Sequence, residues 1–237
     1  LGDVYKRQPL ATGVLPLCFG EATKVSQFLL ESDKRYLVKI KLGERTDTGD
    51  SQGKIIKVQK RVKVNFETLR LALNNFKGEI KQLPPMYSAL KHKGLPLYKL
   101  AREGIKVERK VRTIQIYKNT LVSFEGNIVE LDVTCSKGTY IRSLADDLGQ
   151  DLGCGGHVLE LRRIQAGRFS IDECRNLRKL ESIKELNGLG VLDKLLIPMD
   201  QAIVELPKVF LEHHAAKQIK HGQFICLDKL PVSGLVR

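Results

Sequence analysis

The sequence predicts a domain of mixed α and β structure with room for a small second domain, and three stretches carry that prediction. Residues 35–42, RYLVKIKL, alternate strictly, so Tyr36, Val38, Ile40 and Leu42 share one face of a strand. From about Asn65 an amphipathic helix places Phe66, Leu69, Leu73 and Phe76 on an inner stripe, with Gly78 just past its end. Residues 135–149, CSKGTYIRSLADDLG, join a strand over 128–135 to a helix whose Ile141, Leu144, Ala145 and Leu148 recur at i, i+3, i+4 and i+7.

At 237 residues, 42% of them hydrophobic, the chain has apolar material for a sizeable core. Lys and Arg number 40 against 27 Asp and Glu, a net charge of +13. A chain this basic is expected to meet a polyanion, nucleic acid first among them; a merely basic surface is the plain alternative. No run approaches the ~18 apolar residues of a membrane span, and the opening LGDVYKRQ lacks the apolar core of a secretion signal. Cys18, Cys135, Cys154, Cys174 and Cys226 are scattered, odd in number and never paired as CxxC. That argues against a disulfide framework and a zinc site, and fits a reducing cytoplasm. The His residues form no HExxH motif.

Taken in order, residues 1–8 show no usable pattern. Residues 9–24, PLATGVLPLCFGEATK, read as a loop leading into a short buried segment, punctuated by Gly13 and Gly20, and residues 25–30 as a helical end. After the strand over 35–42, TDTGDSQG at 46–53 is a polar loop and 54–58 returns as a second strand. Residues 84–112 differ in kind. Lys91, Lys93, Lys99, Arg102, Lys106, Arg109, Lys110 and Arg112 stand against only Glu103 and Glu108, which is six of the thirteen excess charges. Met86, Tyr87, Leu97, Tyr98 and Leu100 are too few for a core and suit a finger leaning on a ligand. Strands resume at 113–117 and 121–124, and Glu125, Gly126 and Asn127 turn the chain into the strand over 128–135. Residues 136–139 make a tight turn with Thr139 as the helix cap. GCGGH at 153–157 is a glycine turn but no phosphate loop, because no Lys-Ser/Thr follows. Residues 157–171 form another strand, a helix near 172–186 closes the main domain, and the turn at Pro198, Met199 and Asp200 with the chain beyond Pro207 leads into a small second domain.

Tyr140 and Arg142 flank the buried face of their helix, where both reach a cleft at the end of the strand. An equally open alternative is a surface ion pair between Arg142 and Asp146 at i+4. The run Asp47, Thr48, Gly49, Asp50 fails as a calcium loop, since Gly49 sits where an EF-hand needs its third-position ligand, and no metal is expected. A loop beside a cleft allows Asp50 to hold an arginine in place instead. On an apolar strand face Tyr36 is more often core than site, although a tyrosine face is also a platform for an unstacked base. Arg162 and Arg163 point to opposite faces of their strand, so one can meet a nucleic-acid backbone while the other is solvated.

Five stretches, PLATGVLPLCFGEATK, KRYLVKIKLGERTDTGD, PPMYSALK, CSKGTYIRSLADDLG and HVLELRRIQAGRF, stand in the order and spacing of the TruB family, the bacterial tRNA pseudouridine-55 synthases. The chain resembles that family from about residue 9 to 237. The resemblance implies an α+β protein: a pseudouridine synthase fold with a mixed, mostly antiparallel sheet flanked by helices, and the start of a small C-terminal PUA-like RNA-binding domain. It implies a catalytic domain over 9–200 with a basic thumb insertion at 84–112, a truncated domain over 201–237, and residues 1–8 outside the family pattern. The implied activity is that of a cytoplasmic, monomeric isomerase needing no cofactor and no metal. Acting on the T arm of tRNA, it breaks the N-glycosidic bond of a uridine, turns the base and rejoins it through carbon. The base must leave its stack, so it is expected to be flipped into a pocket. By the same likeness Tyr36 packs on the flipped base, Tyr140 and Leu161 line its pocket, and Arg142 pairs with the catalytic carboxylate and approaches Asp50.

The family places its indispensable aspartate immediately before PLATG, and here that position is Gln8. A carboxylate can attack carbon or take a proton; a neutral amide is a poor substitute in either role. Asp3, within about 17 Å of extended chain, would need the loop to refold to stand in. The family's opening strands and glycine turn are absent from the pattern, and an incomplete or misjoined reading of a TruB gene is the simplest account. The chain as written is expected to bind tRNA without turnover. The alternative from another class is a non-catalytic tRNA-binding or tRNA-folding protein on the same scaffold. A basic ribosomal protein is disfavoured by the set Tyr36, Asp50, Tyr140 and Arg142.

Overall fold

The structure, a computed structural model, describes residues 10–226 and 235–236. The chain divides into two compact units, residues 1–16 with 30–174 and residues 17–29 with 175–237. The first unit begins with β1 (Ala11–Gly13), and α1 (Ser26–Glu31) leads back into it. The alternating run follows as β2 (Lys34–Leu42), burying Val38, Ile40 and Leu42. A separate two-stranded ribbon, β3 (Glu44–Thr46) with β4 (Ile55–Val58), carries the polar loop at its tip.

In α2 (Phe66–Asn74), Asn65 caps the first turn reciprocally. Its Oδ1 accepts from the Thr68 amide at 2.9 Å while the Thr68 hydroxyl accepts from the Asn65 amide at 3.0 Å. Leu69 and Leu73 are buried, but Phe66 is 56% exposed. It occupies the first position of the helix, where the stripe has not yet reached the core. Next come β5 (Gly78–Gln82), the short ribbon β6 (Lys91–His92) with β7 (Leu95–Pro96), and α3 (Leu97–Arg102). Leu97 and Leu100 of α3 are buried rather than presented outward. The basic segment therefore has a small packed root of its own.

The two strands expected at 113–117 and 121–124 are one, β8 (Arg112–Glu125). Its polar middle is absorbed by register shifts between Ile116 and Lys118 and between Leu121 and Ser123, not by a turn. β9 (Ile128–Cys135), α4 (Ile141–Asp151) and β10 (Gly156–Ala166) follow. The strand expected to run to 171 stops at Ala166, turns at Gly167, and folds back as β11 (Phe169–Ser170). The sheet order is β1-β10-β2-β9-β8-β5, with β11 on β10. β1 and β10 run parallel and the other pairings are antiparallel, so the sheet is mixed and the architecture is α+β.

Residues 11–13, expected within a loop, are a strand because β10 supplies the ladder. Gly13 there has φ +99°, and a Cβ would meet the Arg163 carbonyl oxygen at 2.0 Å, so only glycine allows the approach. One sheet face is covered by α2 and α4. Val38, Ile40, Leu131, Val133 and Ile116 meet Leu69, Leu73, Leu144 and Leu148 there in one core. The glycine turn at 153–157 serves that packing. A Cβ on Gly149 of α4 would lie 2.1 Å from the Gly156 nitrogen, so the helix rests directly on the turn backbone.

The second unit holds a 3-10 turn at Gly20–Val25, α5 (Leu177–Asn187), α6 (Leu189–Asp193), a 3-10 turn at Met199–Ile203 and α7 (His213–Lys220). The helix expected near 172–186 is α5, capped by Asn176, whose Oδ1 accepts from the Lys179 amide at 2.8 Å; it belongs to this unit. Of the domain expected over 201–237, residues 227–234 and 237 lie outside the described residues. Among the described residues no helix is long and apolar enough to cross a membrane.

Candidate active site

The first turn of α4 is where the candidate residues converge. The Arg142 Nη1 donates to the Thr48 carbonyl at 3.0 Å and to Asp50 Oδ2 at 3.2 Å, and Nη2 donates to the Tyr87 carbonyl at 2.6 Å. The two side chains of this ion pair are only 8% and 6% exposed. Helical phase puts Arg142 beside the buried face, but the 46–53 loop and the Tyr87 backbone close over it. Asp146, its possible i+4 partner, is instead gripped by Arg45, with Nε to Oδ1 at 2.6 Å and Nη2 to Oδ2 at 2.8 Å. No surface pair with Arg142 forms.

A cation in the first turn of a helix opposes the helix dipole, so α4 by itself would not favour Arg142 there. Asp50 and two carbonyls compensate. Burial pulls the Arg142 guanidinium below its ordinary pKa, and the Asp50 charge and hydrogen bond oppose that pull. Asp50 is itself fixed: its Oδ1 accepts from the Thr48 hydroxyl at 2.8 Å and the Gln52 amide at 3.1 Å. The loop is pinned along β10, with the Ser51 amide donating to the Val158 carbonyl at 2.8 Å and the Val158 amide to the Gly49 carbonyl at 3.0 Å.

Tyr140 is the N-cap of α4 but makes no side-chain cap, and the Thr139 hydroxyl, expected as the cap, donates to the Ser136 carbonyl at 2.9 Å instead. Gln82 at the end of β5 does the holding. Its Oε1 accepts from the Tyr140 amide at 2.8 Å and its Nε2 donates to the Tyr140 carbonyl at 3.1 Å. The neighbouring chain is tied down as well: the Ser143 hydroxyl donates to the Leu83 carbonyl at 3.0 Å, and Arg109 Nη1 to the Pro84 carbonyl at 2.8 Å. The basic segment 84–112 is thus closed at its root and stapled to the helix that carries Arg142.

Tyr36 pairs across the sheet with Val133 and with Arg163, and Leu161 with Val38 and Ala11. Direct partners project to the same side, so Tyr36 and Leu161 share the face on which α4 lies. Leu161 is buried and Tyr36 half-buried against the core. Arg163 shares that face and donates from Nε to the Val14 carbonyl at 2.8 Å, while Arg162 is exposed. Gln8 lies outside the described residues. Among the described residues no group of three or more His, Cys, Asp or Glu is arranged to hold a metal. An open cavity of about 480 Å³ lies elsewhere, between Arg112–Gln115 and Ser136–Gly138, and none of Tyr36, Asp50 or Arg142 lines it.

Sequence reasoning did not single out Gln82 or the Tyr87 carbonyl. A signal for Gln82 existed, since it stands two residues after Ile80, in the inward phase of β5, where a polar residue must find partners. Gln82→Ala should cost about 1–3 kcal/mol by leaving the Tyr140 amide and carbonyl without their partner. The measurement is the urea midpoint of unfolding, and an unchanged midpoint would show that the clamp carries no load.

The arrangement is a buried guanidinium aimed by Asp50 and two backbone carbonyls in the first turn of α4, the helix that lies on the sheet face carrying Tyr36 and Leu161. The profile described as TruB family pseudouridylate synthase (N terminal domain) matches residues 8–141, and that of the tRNA pseudouridylate synthase B C-terminal domain matches residues 142–204. The tRNA pseudouridine synthase B of Tolumonas auensis is 51% identical over 242 residues, an alignment covering 100% of this chain and 74% of that protein. Among solved structures, a chain of a Cbf5-Nop10-Gar1 complex superposes with a TM-score of 0.69 at 30% identity, covering 91% of this chain and 56% of the other. A chain of an H/ACA ribonucleoprotein bound to a substrate RNA gives 0.68 at 26%, covering 92% and again 56%. This chain thus spans just over half the length of those two. With both profiles matched in succession across a site built on Arg142 and Asp50, the chain belongs to the TruB family of pseudouridylate synthases.

Proposed function

We propose that this chain binds the T arm of tRNA in the cytoplasm, as a monomer, and receives the flipped uridine at position 55 against Tyr36, with Tyr140 and Leu161 as the walls of its pocket. The observation that carries the reading is the buried Arg142, held by Asp50 and two backbone carbonyls at the helix start where the family motif lies. In this reading Arg142 would orient the carboxylate that the family pattern has at position 8, where this chain has Gln8. It is that carboxylate that would attack or deprotonate the nucleoside so that the N-glycosidic bond breaks and the base rejoins through carbon. The segment 84–112 closes on the RNA arm as a thumb, and the chain over 201–237 contributes a PUA-like contact. Support comes from the net charge of +13, and from relatives named tRNA pseudouridine synthase B.

With Gln8 in the carboxylate's place, the chain as written is proposed to bind tRNA without turnover. Its alternative role is that of a non-catalytic tRNA-binding or tRNA-folding protein on this scaffold, which Gln8 favours. Filter binding of a tRNA transcript alongside tritium release from tRNA labelled at uridine C5 separates both of these readings from that of an active synthase. Binding with background release is expected. Robust release would overturn the proposed inactivity, and absence of binding would overturn the RNA reading altogether.

A further inference from the structure

Residues 54–63, KIIKVQKRVK, carry five cations and no acid in ten positions, a denser charge than that of the 84–112 segment. Lys54, Lys57, Lys60, Arg61 and Lys63 are all exposed, and none takes part in an ion pair among the described residues. Between them Ile55, Ile56 and Val58 are 57%, 59% and 58% exposed on β4. Successive strand residues point to opposite sides, so both faces of this ribbon present β-branched side chains to solvent.

β4 is exposed along its whole length while β3 packs on the domain, and an exposed apolar cluster on such a strand marks a contact surface. Both ends of this ribbon are nonetheless anchored. The Asp47 amide donates to the Lys54 carbonyl at 3.0 Å, the Lys54 amide to Asp47 Oδ1 at 2.8 Å, and the Gln59 amide to the Gly43 carbonyl at 2.7 Å. Arg45 of β3 is locked to Asp146 of α4. The ribbon also grows out of the same loop that carries Asp50, so a ligand lying on it is continuous with whatever occupies the site beside Arg142. Aliphatic side chains between cations suit a nucleic-acid backbone, with phosphates neutralised by Lys and Arg and the apolar groups set against sugars or unstacked bases.

We propose that residues 54–63 form a second RNA-gripping finger, which holds phosphates of the same tRNA whose uridine enters the site; this rests on the reading of tRNA as the partner. The test compares three proteins in binding to a tRNA transcript from low to moderate salt: the unchanged chain, the triple variant Lys54→Gln, Lys57→Gln, Lys60→Gln, and the thumb variant Lys91→Gln, Lys93→Gln, Lys99→Gln. Losing three phosphate contacts lowers the slope of log K against log salt by about 2 to 3, and the 54–60 variant should show that loss with an unchanged thermal midpoint. A slope equal to that of the unchanged chain, with a flattened slope for the thumb variant, overturns the second finger and leaves the tRNA reading standing. No tRNA binding by the unchanged chain overturns both. Loss of binding to vesicles of phosphatidylserine and phosphatidylcholine, with tRNA binding intact, would make the ribbon a membrane contact and also overturn the proposal. The pair Ile56→Ser and Val58→Ser should weaken tRNA binding without altering the slope; full affinity would remove the apolar half of the contact.

Discussion

Gln8→Asp should raise tritium release from tRNA labelled at uridine C5 by about 10²- to 10⁴-fold over the unchanged chain, the range that a positioned carboxylate supplies as base or nucleophile. The argument rests on charge. An amide has no proton affinity to offer near neutral pH and no anionic oxygen with which to attack carbon. A carboxylate set against a buried guanidinium, by contrast, is held in its ionised form. In the proposed site Arg142 is already desolvated and aimed by Asp50 and the Thr48 and Tyr87 carbonyls, so the substitution completes a prepared arrangement. Gln8→Asn should stay at background, because it shortens the side chain without adding charge. Gln8→Glu should recover less than aspartate, since an extra methylene displaces the reacting oxygen and small misplacements are expensive in rate. If Gln8→Asp binds tRNA as well as the parent yet releases no tritium, the amide at position 8 is not what silences the chain.

The strands with a one-sided core were legible in the sequence because their period is local. Val38, Ile40 and Leu42, and likewise Val129, Leu131, Val133 and Cys135, are buried as their alternation requires. The elements that escaped depend on partners far away in the chain. Residues 11–13 have no alternation, and become a strand only because β10 pairs with them and Gly13 tolerates the contact. The stretch Lys118, Asn119, Thr120 looks like a break, yet pairing with β9 carries it through two bulges. The site shows the same division. Tyr140 and Arg142 were readable from a strand-turn-helix motif, whereas the burial of Arg142 was not, because a loop from 46–53 and a backbone carbonyl at Tyr87 do the covering. Gln82 broke the polar-out rule inside β5, and its reason, the Tyr140 backbone, lies 58 residues away. Local rules fail here at the helix start where the family motif and the proposed chemistry sit.

Asp50→Ala should destabilise the first unit by about 3–5 kcal/mol, the penalty for leaving a buried charge without its counter-ion. In a protein of this size that lowers the thermal midpoint by roughly 10 °C, readable by calorimetry. Asp50→Asn should lose less than Asp50→Ala, because its one amide oxygen can replace Oδ2 towards Arg142 and the Thr48 hydroxyl can turn to accept from the new NH2, although the Gln52 amide loses its acceptor along with the charge. The informative variant removes both partners. Arg142→Met with Asp50→Ala trades the ion pair for apolar contacts, which commonly restores stability because two desolvation penalties vanish together. The double variant should therefore unfold near the parent's midpoint. In the Gln8→Asp background it should bind tRNA and release tritium only at background. A double variant as unstable as Asp50→Ala alone would mean that the pair holds the fold together. Parent-like stability with release lost would mean that the buried charge is kept for the chemistry, at a net expense in stability that Asp50 only partly offsets.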